Sequence, residues 1–409
     1  MAAVTENPNA DEPLALVPRF TAQGYGKEDV ERRRRWVEDQ TGASLSHLGS
    51  FSLDSASMRG NIENPIGVAQ VPLGVAGPLA VCGEFATGVF YVPLATTEGA
   101  LVRSYERGML AITRAGGAVA RLLIDGNRAS PVFSFADVSR AHHFAANLAD
   151  HFAILQSVAE ATTKHGKLLA IACRMLGRDV VVDFDYHTAD AHGMNMISKA
   201  TEAACQWIVE QFDVDHYYVL SGGSSEKRAS SSLFRGGKGK HVTAGVLLPP
   251  KLVHTHLHTT PRKLQHMWQR TLMAQLQAGA SGYNGHYANG LTALFIACGQ
   301  DVANVANCSV GYTNFDVTED GSLYVSVTLP SLTVATVGGG TALGTSAECL
   351  AMLGCTGVGK AAKFAEIAAA TILAGELSFG SALASGEFVS AHEQYGRNHP
   401  ASTLSQPLW

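Results

Sequence analysis

Apolar and polar positions follow different spacings in different parts of the chain. Residues 27–40 are densely charged and predict an exposed helix after a loose, proline-containing lead-in of about twenty residues. Between residues 61 and 99, glycine and proline interrupt short apolar segments such as VAQVPLGVAGPLAV and VFYVPLATTEG. This pattern is typical of strands and tight turns, and it predicts a helix that begins near Glu98.

The pattern changes over residues 130–220. Helical spacing covers residues 136–176, strand-like residues 179–185 follow, residues 195–211 are again helical, and HYYVL is strand-like. Because strands alternate with helices here, the segment predicts a compact α/β unit of about 90 residues.

The following segment is predicted to hold one strand and two long helices. Residues 236–248 have a strand pattern, whereas residues 251–278 and 290–305 have helical patterns. The last helix is supported by apolar residues at helical spacing, namely Leu291, Leu294, Phe295, Cys298, Val302 and Val305.

Composition restricts the classes of function. With 409 residues, 46% apolar and 16% charged, the chain is long enough for two domains with large cores. The net charge of -5 gives no general attraction to nucleic acid. Acidic residues flank the basic run at residues 32–35, so this run is expected to be a solvated helix face.

The cysteines, the N-terminal sequence and three histidines bear on the cellular compartment, on membrane anchoring and on metal binding. Seven cysteines without a CxxC pair lie in apolar stretches and favour the reducing cytoplasm. The chain starts without a basic, apolar secretion signal and has no run of about 18 uninterrupted apolar residues, so no membrane anchor is expected. On a strand, His254, His256 and His258 would share a face as metal ligands do, but their segment looks helical, so no metal is expected.

Two acidic residues are candidates for proton transfer. Glu98 follows two threonines where a strand is predicted to turn into a helix, and the alternative is ordinary capping with Thr97 as the N-cap. Asp301 lies at the edge of the apolar stripe of its helix, so its carboxylate is expected to face packed structure and to need a partner or a proton. The alternative for Asp301 is a helix-end salt bridge.

Three turns are candidates for ligand binding or charge stabilisation. The run GGGT at 338–341 follows the apolar LTVATV, and DAHGMN at 190–195 opens a helix, so both allow backbone NH groups to approach an anionic ligand. The loop SGGSSEKR at 221–228 delivers Lys227, whose charge suits a developing oxyanion. The alternatives are a plain helix start and a solvated loop.

A series of motifs carries a family resemblance. From about Asn61 to Arg397, the chain contains ENPIG, VPLGVAGPL, ATTEG, DAHGMNMISKATE, GYNGHYANGLTALFIACGQD, TVGGGT and AGELS. In series they resemble the 3-hydroxy-3-methylglutaryl-CoA reductase family, and the details, including EKR, resemble its NADPH-preferring class. The resemblance implies reduction of 3-hydroxy-3-methylglutaryl-CoA to mevalonate and CoA with two NADPH, through a hemithioacetal and an aldehyde.

The resemblance implies four catalytic residues. Lys227 matches the lysine that stabilises the oxyanion, and Glu98 matches the glutamate that protonates it. Asp301 matches the aspartate whose charge helps to keep that glutamate protonated, so the three groups are expected to titrate together. His392, on a C-terminal flap, matches the histidine that protonates the departing CoA thiolate.

Binding positions are implied in the same way. Those for the substrate are Ser104, Arg128, Ser221, Arg228, His286 and Asn289. Those near the dinucleotide are Asp190, Gly193, Met194, Asn195, Val337, Gly338, Gly339 and Arg397. Thr163 and Lys164 match the positions that hold the NADP 2′-phosphate.

The implied fold is α/β (α+β), with a ferredoxin-like small dinucleotide-binding domain inserted into a large acyl-CoA-binding domain and no Rossmann fingerprint. The expected segments are a lead-in and helical segment at 1–58, a large domain at 59–129 and 221–380, a small domain at 130–220 and a flap at 381–409. A homodimer or homotetramer with active sites between subunits is implied.

The chain departs from the family pattern in the lysine loop, and other functions stay open. The loop is one residue short and has Glu226 for aspartate and Arg228 for lysine, while Asn398 replaces a serine that is phosphorylated in animal members, so that control is expected to be absent. One alternative is an acylating aldehyde dehydrogenase that uses Cys298, although an apolar helix disfavours a reactive thiol. The others are a reductase of a related acyl-CoA and a non-catalytic paralogue that binds acyl-CoA or NADPH.

Overall fold

The computed structural model describes residues 15–19 and 24–389, and the chain divides into two compact units, residues 1–71 and 72–409. In the first unit, helix α1 spans Lys27–Thr41, as the charge pattern predicted. The expectation of a fully solvated basic face is wrong for Arg33, which is 2% exposed. Its guanidinium donates hydrogen bonds to the backbone oxygens of Pro65 at 2.6 Å and Gly24 at 2.8 Å.

The second unit mixes sheet and helix. Its strands are β1 Leu73–Cys82, β2 Thr87–Ala95, β3 Val119–Ala129, β4 Val132–Ser134, β5 Lys167–Leu176, β6 Asp179–His187, β7 His216–Tyr218, β8 Gly239–Leu248, β9 Tyr312–Val317 and β10 Leu323–Leu332. Its helices are α2 Leu101–Arg114, α3 Val138–Asn147, α4 Phe152–Glu160, α5 Met194–Gln211, α6 Pro250–Leu257, α7 Pro261–Gln277, α8 Tyr287–Ala297, α9 Val305–Cys308, α10 Gly344–Met352 and α11 Ala361–Ser385.

One eight-stranded sheet joins two hydrophobic cores within this unit. Its strands run in the order β7-β4-β6-β3-β8-β10-β9, with β5 paired to β6, while β1 and β2 form a separate antiparallel pair. Strand β3 belongs to both halves, since residues 119–126 pair with β8 and residues 127–129 pair with β6. The larger core lies around α2, α8 and α11, and the smaller one packs α3, α4 and α5 on β4, β5 and β6.

The smaller core has the strand order of a ferredoxin-like unit. Its elements follow the sequence β4-α3/α4-β5-β6-α5-β7, and the strands lie in the order β7-β4-β6-β5 with every neighbour antiparallel. The helical pattern predicted for 136–176 is wrong after residue 160, because residues 167–176 form β5. Among the described strands it pairs with β6 alone, and several of its apolar side chains are exposed, which blurs the period-2 signal.

Helix α11 crosses the larger core. Among the described residues, it is the one helix long and apolar enough to cross a membrane by length and composition, but 83% of its most apolar window is buried inside the protein. Its buried carboxylates, Glu366 and Glu376, accept hydrogen bonds from backbone NH groups of the 84–86 turn and of Gly285. The helix is therefore a core element that fixes two surrounding loops.

Three predicted helix boundaries differ from the structure. Helix α2 begins at Leu101 instead of near Glu98, and Ala100 before it has a positive φ of 68°. The predicted 251–278 helix is two helices, because Pro261 starts a new one after His258 turns to a φ of 51°. Helix α8 ends at Ala297, and Gly299, with a φ of 63°, turns the chain out of the helix.

Candidate active site

Lys227 and Asp301 form an ion pair at the surface of the second unit. Lys227 Nζ lies 2.6 Å from Asp301 Oδ2, with the two side chains 46% and 37% exposed. The prediction that Asp301 faces packed structure from a helix is wrong, because α8 has already ended and Asp301 caps a short 3-10 turn through Ala303 N. Asn307 Oδ1 accepts a hydrogen bond from Lys227 N at 3.2 Å, which fixes the lysine loop against α9.

Glu98 lies in the turn between β2 and α2. Its Oε2 accepts a hydrogen bond from Asn289 Nδ2 at 2.8 Å, and His286 Nε2 lies 3.9 Å from its Oε1. Thr97 is not the N-cap of α2; instead Thr96 Oγ1 accepts a hydrogen bond from Glu98 N at 3.0 Å. The structure therefore brings together one acidic residue and two residues that were predicted to bind substrate.

The other predicted substrate residues already have protein partners. Ser104 Oγ donates to Ser378 Oγ at 3.0 Å, and Ser221 Oγ donates to the backbone oxygen of Ser130 at 2.6 Å. Arg128 donates to both carboxylate oxygens of Asp185, at 2.6 and 2.9 Å, and this hydrogen bonding raises the pKa of Arg128. Arg228 is exposed, and its guanidinium bonds to the backbone oxygen of Glu226 at 3.0 Å.

Sequence reasoning missed a buried charge cluster formed by Glu226, Lys238 and His192. Lys238, whose side chain is 1% exposed, is ion-paired with Glu226, and His192 Nε2 lies 3.4 Å from Glu226 Oε1. Burial favours a protonated Glu226, but the contact with His192 and the Lys238 charge outweigh it and lower the pKa of Glu226 to about 2. The replacement of aspartate by Glu226 was the one sequence signal, since its longer side chain reaches both partners.

The predicted dinucleotide turns lie beside one another. Asp190 O accepts hydrogen bonds from the backbone N of Thr336 and Val337, and Ala191 pairs with Val337. The Asp190 carboxylate accepts hydrogen bonds at 2.8 to 3.0 Å from three backbone NH groups at the start of α11. These bonds outweigh burial and lower the pKa of Asp190, so this carboxylate is committed to capping a helix.

Open backbone surrounds these turns. Gly338 and Gly339 have φ values of 80° and 56°, and a Cβ placed on either would meet no atom within 4 Å. Gly193, with a φ of 79°, precedes α5, whose first residues are Met194 and Asn195. This space and these NH groups suit the close approach of an anionic ligand.

The two residues predicted for a 2′-phosphate lie in the turn before β5. Thr163 Oγ1 accepts hydrogen bonds from the backbone N of His165 and Gly166, at 3.2 and 3.1 Å, and Lys164 is exposed. The turn is therefore stable without a ligand, and the lysine charge is free to meet solvent anions.

Some residues predicted from the sequence lie outside the described residues, and some sequence hypotheses are not supported by the structure. His392, Arg397 and Asn398 lie outside the described residues. Cys298 is 0% exposed and burial raises its pKa well above the ordinary value, which argues against Cys298 as the nucleophile of an acylating dehydrogenase. Over residues 15–19 and 24–389, no group of three His, Cys, Asp or Glu side chains is arranged to hold a metal ion.

A lysine paired with an aspartate, a carboxyl group held by an amide and an open glycine-lined turn are parts that a carbonyl-reducing oxidoreductase uses. The family model of hydroxymethylglutaryl-coenzyme A reductase matches residues 29–397. The chain belongs to this family, as the motif series predicted, and the expectations of an oxidoreductase and of a mixed α/β fold are confirmed.

Relatives and solved structures agree with this assignment. The 3-hydroxy-3-methylglutaryl-coenzyme A reductase of Methanocaldococcus jannaschii is 42% identical over 90% of this chain and 93% of that protein. The Haloferax volcanii enzyme of the same name is 44% identical over 90% and 93%. The class II reductase of Streptococcus pneumoniae, solved with NADPH in open conformations, has a TM-score of 0.66 at 19% identity over 89% of this chain and 100% of its own, a likeness of fold.

Proposed function

We propose that this member of the family reduces 3-hydroxy-3-methylglutaryl-CoA to mevalonate and CoA at a site formed by Lys227, Asp301 and Glu98. The observation that carries the proposal is the 2.6 Å contact between Lys227 and Asp301. The reaction consumes two NADPH and two protons and releases CoA and two NADP+. NADPH, when bound, supplies the two hydrides.

Lys227 stabilises the negative charge that develops on the carbonyl oxygen. Its ammonium is held by Asp301 and delivered by a loop that Asn307 fixes, so little reorganisation is needed when the charge appears. Glu98 protonates that oxygen, and Asn289 orients the carboxyl group through its hydrogen bond to Oε2. His392 is proposed to protonate the CoA thiolate.

The acyl group requires residues that recognise a carboxylate and a hydroxyl. We assign the carboxylate first to Arg228, because its guanidinium is exposed and bound only to a backbone oxygen among the contacts in the described chain. Arg128 can bind the substrate carboxylate only after it breaks its hydrogen bonds to Asp185. Ser104, Ser221 and Asn289 complete the proposed set, whereas His286 faces Glu98.

NADPH fits the open turns of the second unit. We assign its phosphates to two turns, the NH groups near Asp190, Gly193, Met194 and Asn195, and the open backbone at Val337, Gly338 and Gly339. Arg397 is proposed as a further contact. Thr163 and the exposed Lys164 are assigned to the 2′-phosphate. The proposed small domain is residues 130–220, supported by the separate core around α3, α4 and α5.

Two broader proposals accompany this function. We infer a homodimer or homotetramer with active sites between subunits, because the described catalytic groups fall into two sets, Glu98 with Asn289 and Lys227 with Asp301. We also infer a cytoplasmic setting, since all seven cysteines are free thiols.

The test is NADPH consumption by the purified protein with 3-hydroxy-3-methylglutaryl-CoA, with the product identified by mass spectrometry. We expect mevalonate at two NADPH per CoA released, and we expect Lys227→Met to lower kcat by about 100- to 1,000-fold. The matched control is Lys167→Met, which removes a surface ion pair of the same 2.6 Å length with Glu160 and should leave kcat unchanged.

Either of two results would contradict the proposal. A folded wild-type protein that oxidises NADPH only with a different acyl-CoA would change the substrate. A Lys227→Met variant with a kcat within tenfold of the wild type would remove Lys227 from the reaction.

A further inference from the structure

Tyr105 of α2 has a hydroxyl group whose position is fixed by two glycines. The side chain is 0% exposed. A Cβ on Gly290 would lie 1.9 Å from the hydroxyl oxygen, and a Cβ on Gly375 would lie 2.4 Å from the ring. Any larger residue at either glycine would displace the tyrosine, so the fold reserves this niche for an aromatic ring with a hydroxyl group.

The hydroxyl group of Tyr105 lies within hydrogen-bond distance of two atoms of His286. These are the backbone oxygen at 3.2 Å and Nδ1 at 3.0 Å. A tyrosine has one hydrogen to donate, so when the backbone oxygen takes that hydrogen, the hydroxyl oxygen accepts from Nδ1–H. Burial, and then the charges of Glu376 and Glu98, raise the pKa of Tyr105, so this hydroxyl keeps its proton.

The remaining nitrogen of His286 faces Glu98. Nε2 lies 3.9 Å from Glu98 Oε1, and with the hydrogen on Nδ1 it carries a lone pair in the neutral ring. The backbone of His286 is held by Glu376, which also accepts a hydrogen bond from Gly285 N at 3.0 Å. Phe379 stacks on the imidazole with centroids 5.6 Å apart.

We propose that His286 is a positioning residue that loads Glu98 with its proton, and that Tyr105 keeps His286 in the tautomer that allows this. The proposal rests on the proposed function, and it gives His286 a role other than substrate binding. A solvent proton binds Nε2; the Nε2–H bond then breaks as an O–H bond forms at Glu98 Oε1, and the ring returns to the neutral Nδ1–H form. Each proton that Glu98 gives to substrate oxygen is replaced in this way.

The geometry requires a small closure. The 3.9 Å separation exceeds a hydrogen bond, and such contacts commonly tighten when substrate binds. His286 is 11% exposed and Glu98 is 39% exposed, so solvent protons reach the pair. Among residues 15–19 and 24–389, the titratable groups in contact with His286 or with its Tyr105 partner include Glu98 before α2, Tyr105 on α2 and Glu376 on α11.

The test uses reduction of the aldehyde intermediate by NADPH, because that half-reaction releases no CoA and so needs no proton on a thiolate. Two variants are compared, His286→Gln, which keeps an amide near Glu98 but does not titrate, and Tyr105→Phe, which keeps the ring in its niche. The matched controls are His151→Gln, a histidine packed on Trp207 and Phe212, and Tyr186→Phe, a buried tyrosine bonded to Thr201.

We expect the kcat of the wild type to fall between about pH 6 and 8, and we expect His286→Gln to abolish this fall and to lower kcat by about 100-fold with KM within twofold. Tyr105→Phe should lower kcat by about tenfold, and both controls should match the wild type. If His286→Gln does not fold, Tyr105→Phe carries the test.

Three results would overturn the inference. Variants with wild-type kcat and pH profile would remove the relay while leaving the proposed function intact. A raised KM with unchanged kcat would make His286 a substrate ligand only. Absence of wild-type turnover with either the thioester or the aldehyde would overturn the proposed function and this inference with it.

Discussion

The buried ammonium group of Lys238 is neutralised by the carboxylate of Glu226, which lies in the 221–228 loop. Glu226, with a side chain 16% exposed, neutralises Lys238 and contacts His192 in the proposed dinucleotide turn. The next residue in the chain is Lys227, so the cluster connects the loop that carries the proposed catalytic lysine to the turn that is proposed to bind the cofactor. Removal of the carboxylate would leave the Lys238 ammonium buried without its partner.

Glu226→Gln is therefore expected to destabilise the protein by about 3 kcal/mol at pH 7. The folded-state pKa of about 2 lies below the ordinary value of 4.5, so the contribution of Glu226 is fully present above pH 4.5 and is lost as the pH falls toward 2. Denaturant unfolding of both proteins from pH 7 to pH 2 measures this, and the difference should shrink on acidification.

The control for this prediction is Glu106→Gln on α2. Glu106 forms a surface ion pair with Arg103 at 2.8 Å, where a loss of at most about 0.5 kcal/mol is expected. A Glu226→Gln variant as stable as the control would show that Lys238 does not depend on Glu226.

At the scale of elements, helix α2 meets α11 at Gly108. A Cβ on Gly108 would lie 2.0 Å from the backbone oxygen of Ala374, which cannot move without displacing α11. We expect Gly108→Ala to lower the free energy of unfolding by about 2 kcal/mol, even though alanine favours helix formation.

The matched control is Gly126→Ala on β3, where the nearest atom to a new Cβ is Tyr186 O at 3.4 Å. Its unfolding midpoint in denaturant should stay close to that of the wild type. Equal midpoints for the two variants would contradict the close approach of α2 and α11.

Helices and strands with a regular spacing of apolar residues were predicted correctly from the sequence. The prediction failed where another feature, such as an exposed apolar face or a glycine that ends a helix, competes with that spacing. Helices α1 and α5 and strand β6 were predicted within a few residues, because their apolar patterns are regular. The pattern of the edge strand β5 predicts a helix, since its outer face is apolar. The apolar spacing around Asp301 also predicts a helix, because it continues past the point where Gly299 turns the chain.

The sequence predicted which residues belong to the candidate site, but it did not predict which residues contact one another. The motifs named Glu98, Lys227 and Asp301, and the structure pairs the last two. No local pattern predicts that Arg128 bonds to Asp185 or that Tyr105 reaches His286, because these contacts join residues 57 and 181 positions apart. Such partners follow only from the packed fold.

At the scale of the whole molecule, the two sets of proposed catalytic residues predict how sites would be shared in the proposed dimer. Lys227 and Asp301 belong to the same chain, since their side chains are in contact within it. Glu98 is held separately by Asn289. In a dimer with sites between subunits, one chain supplies the Lys227 set and its partner supplies Glu98.

This arrangement predicts complementation between inactive variants. When Glu98→Gln and Asp301→Asn chains with different tags are co-expressed, half of the dimers are hybrids, and each hybrid has one intact site of two. Activity should recover to about a quarter of wild type.

The control pair, Lys227→Met with Asp301→Asn, should stay inactive because both residues come from the same chain at every site. If the first pair also stays inactive while hybrids are recovered through both tags, Glu98 and Asp301 of one chain serve the same site, and the inference of active sites between subunits is wrong for these two residues.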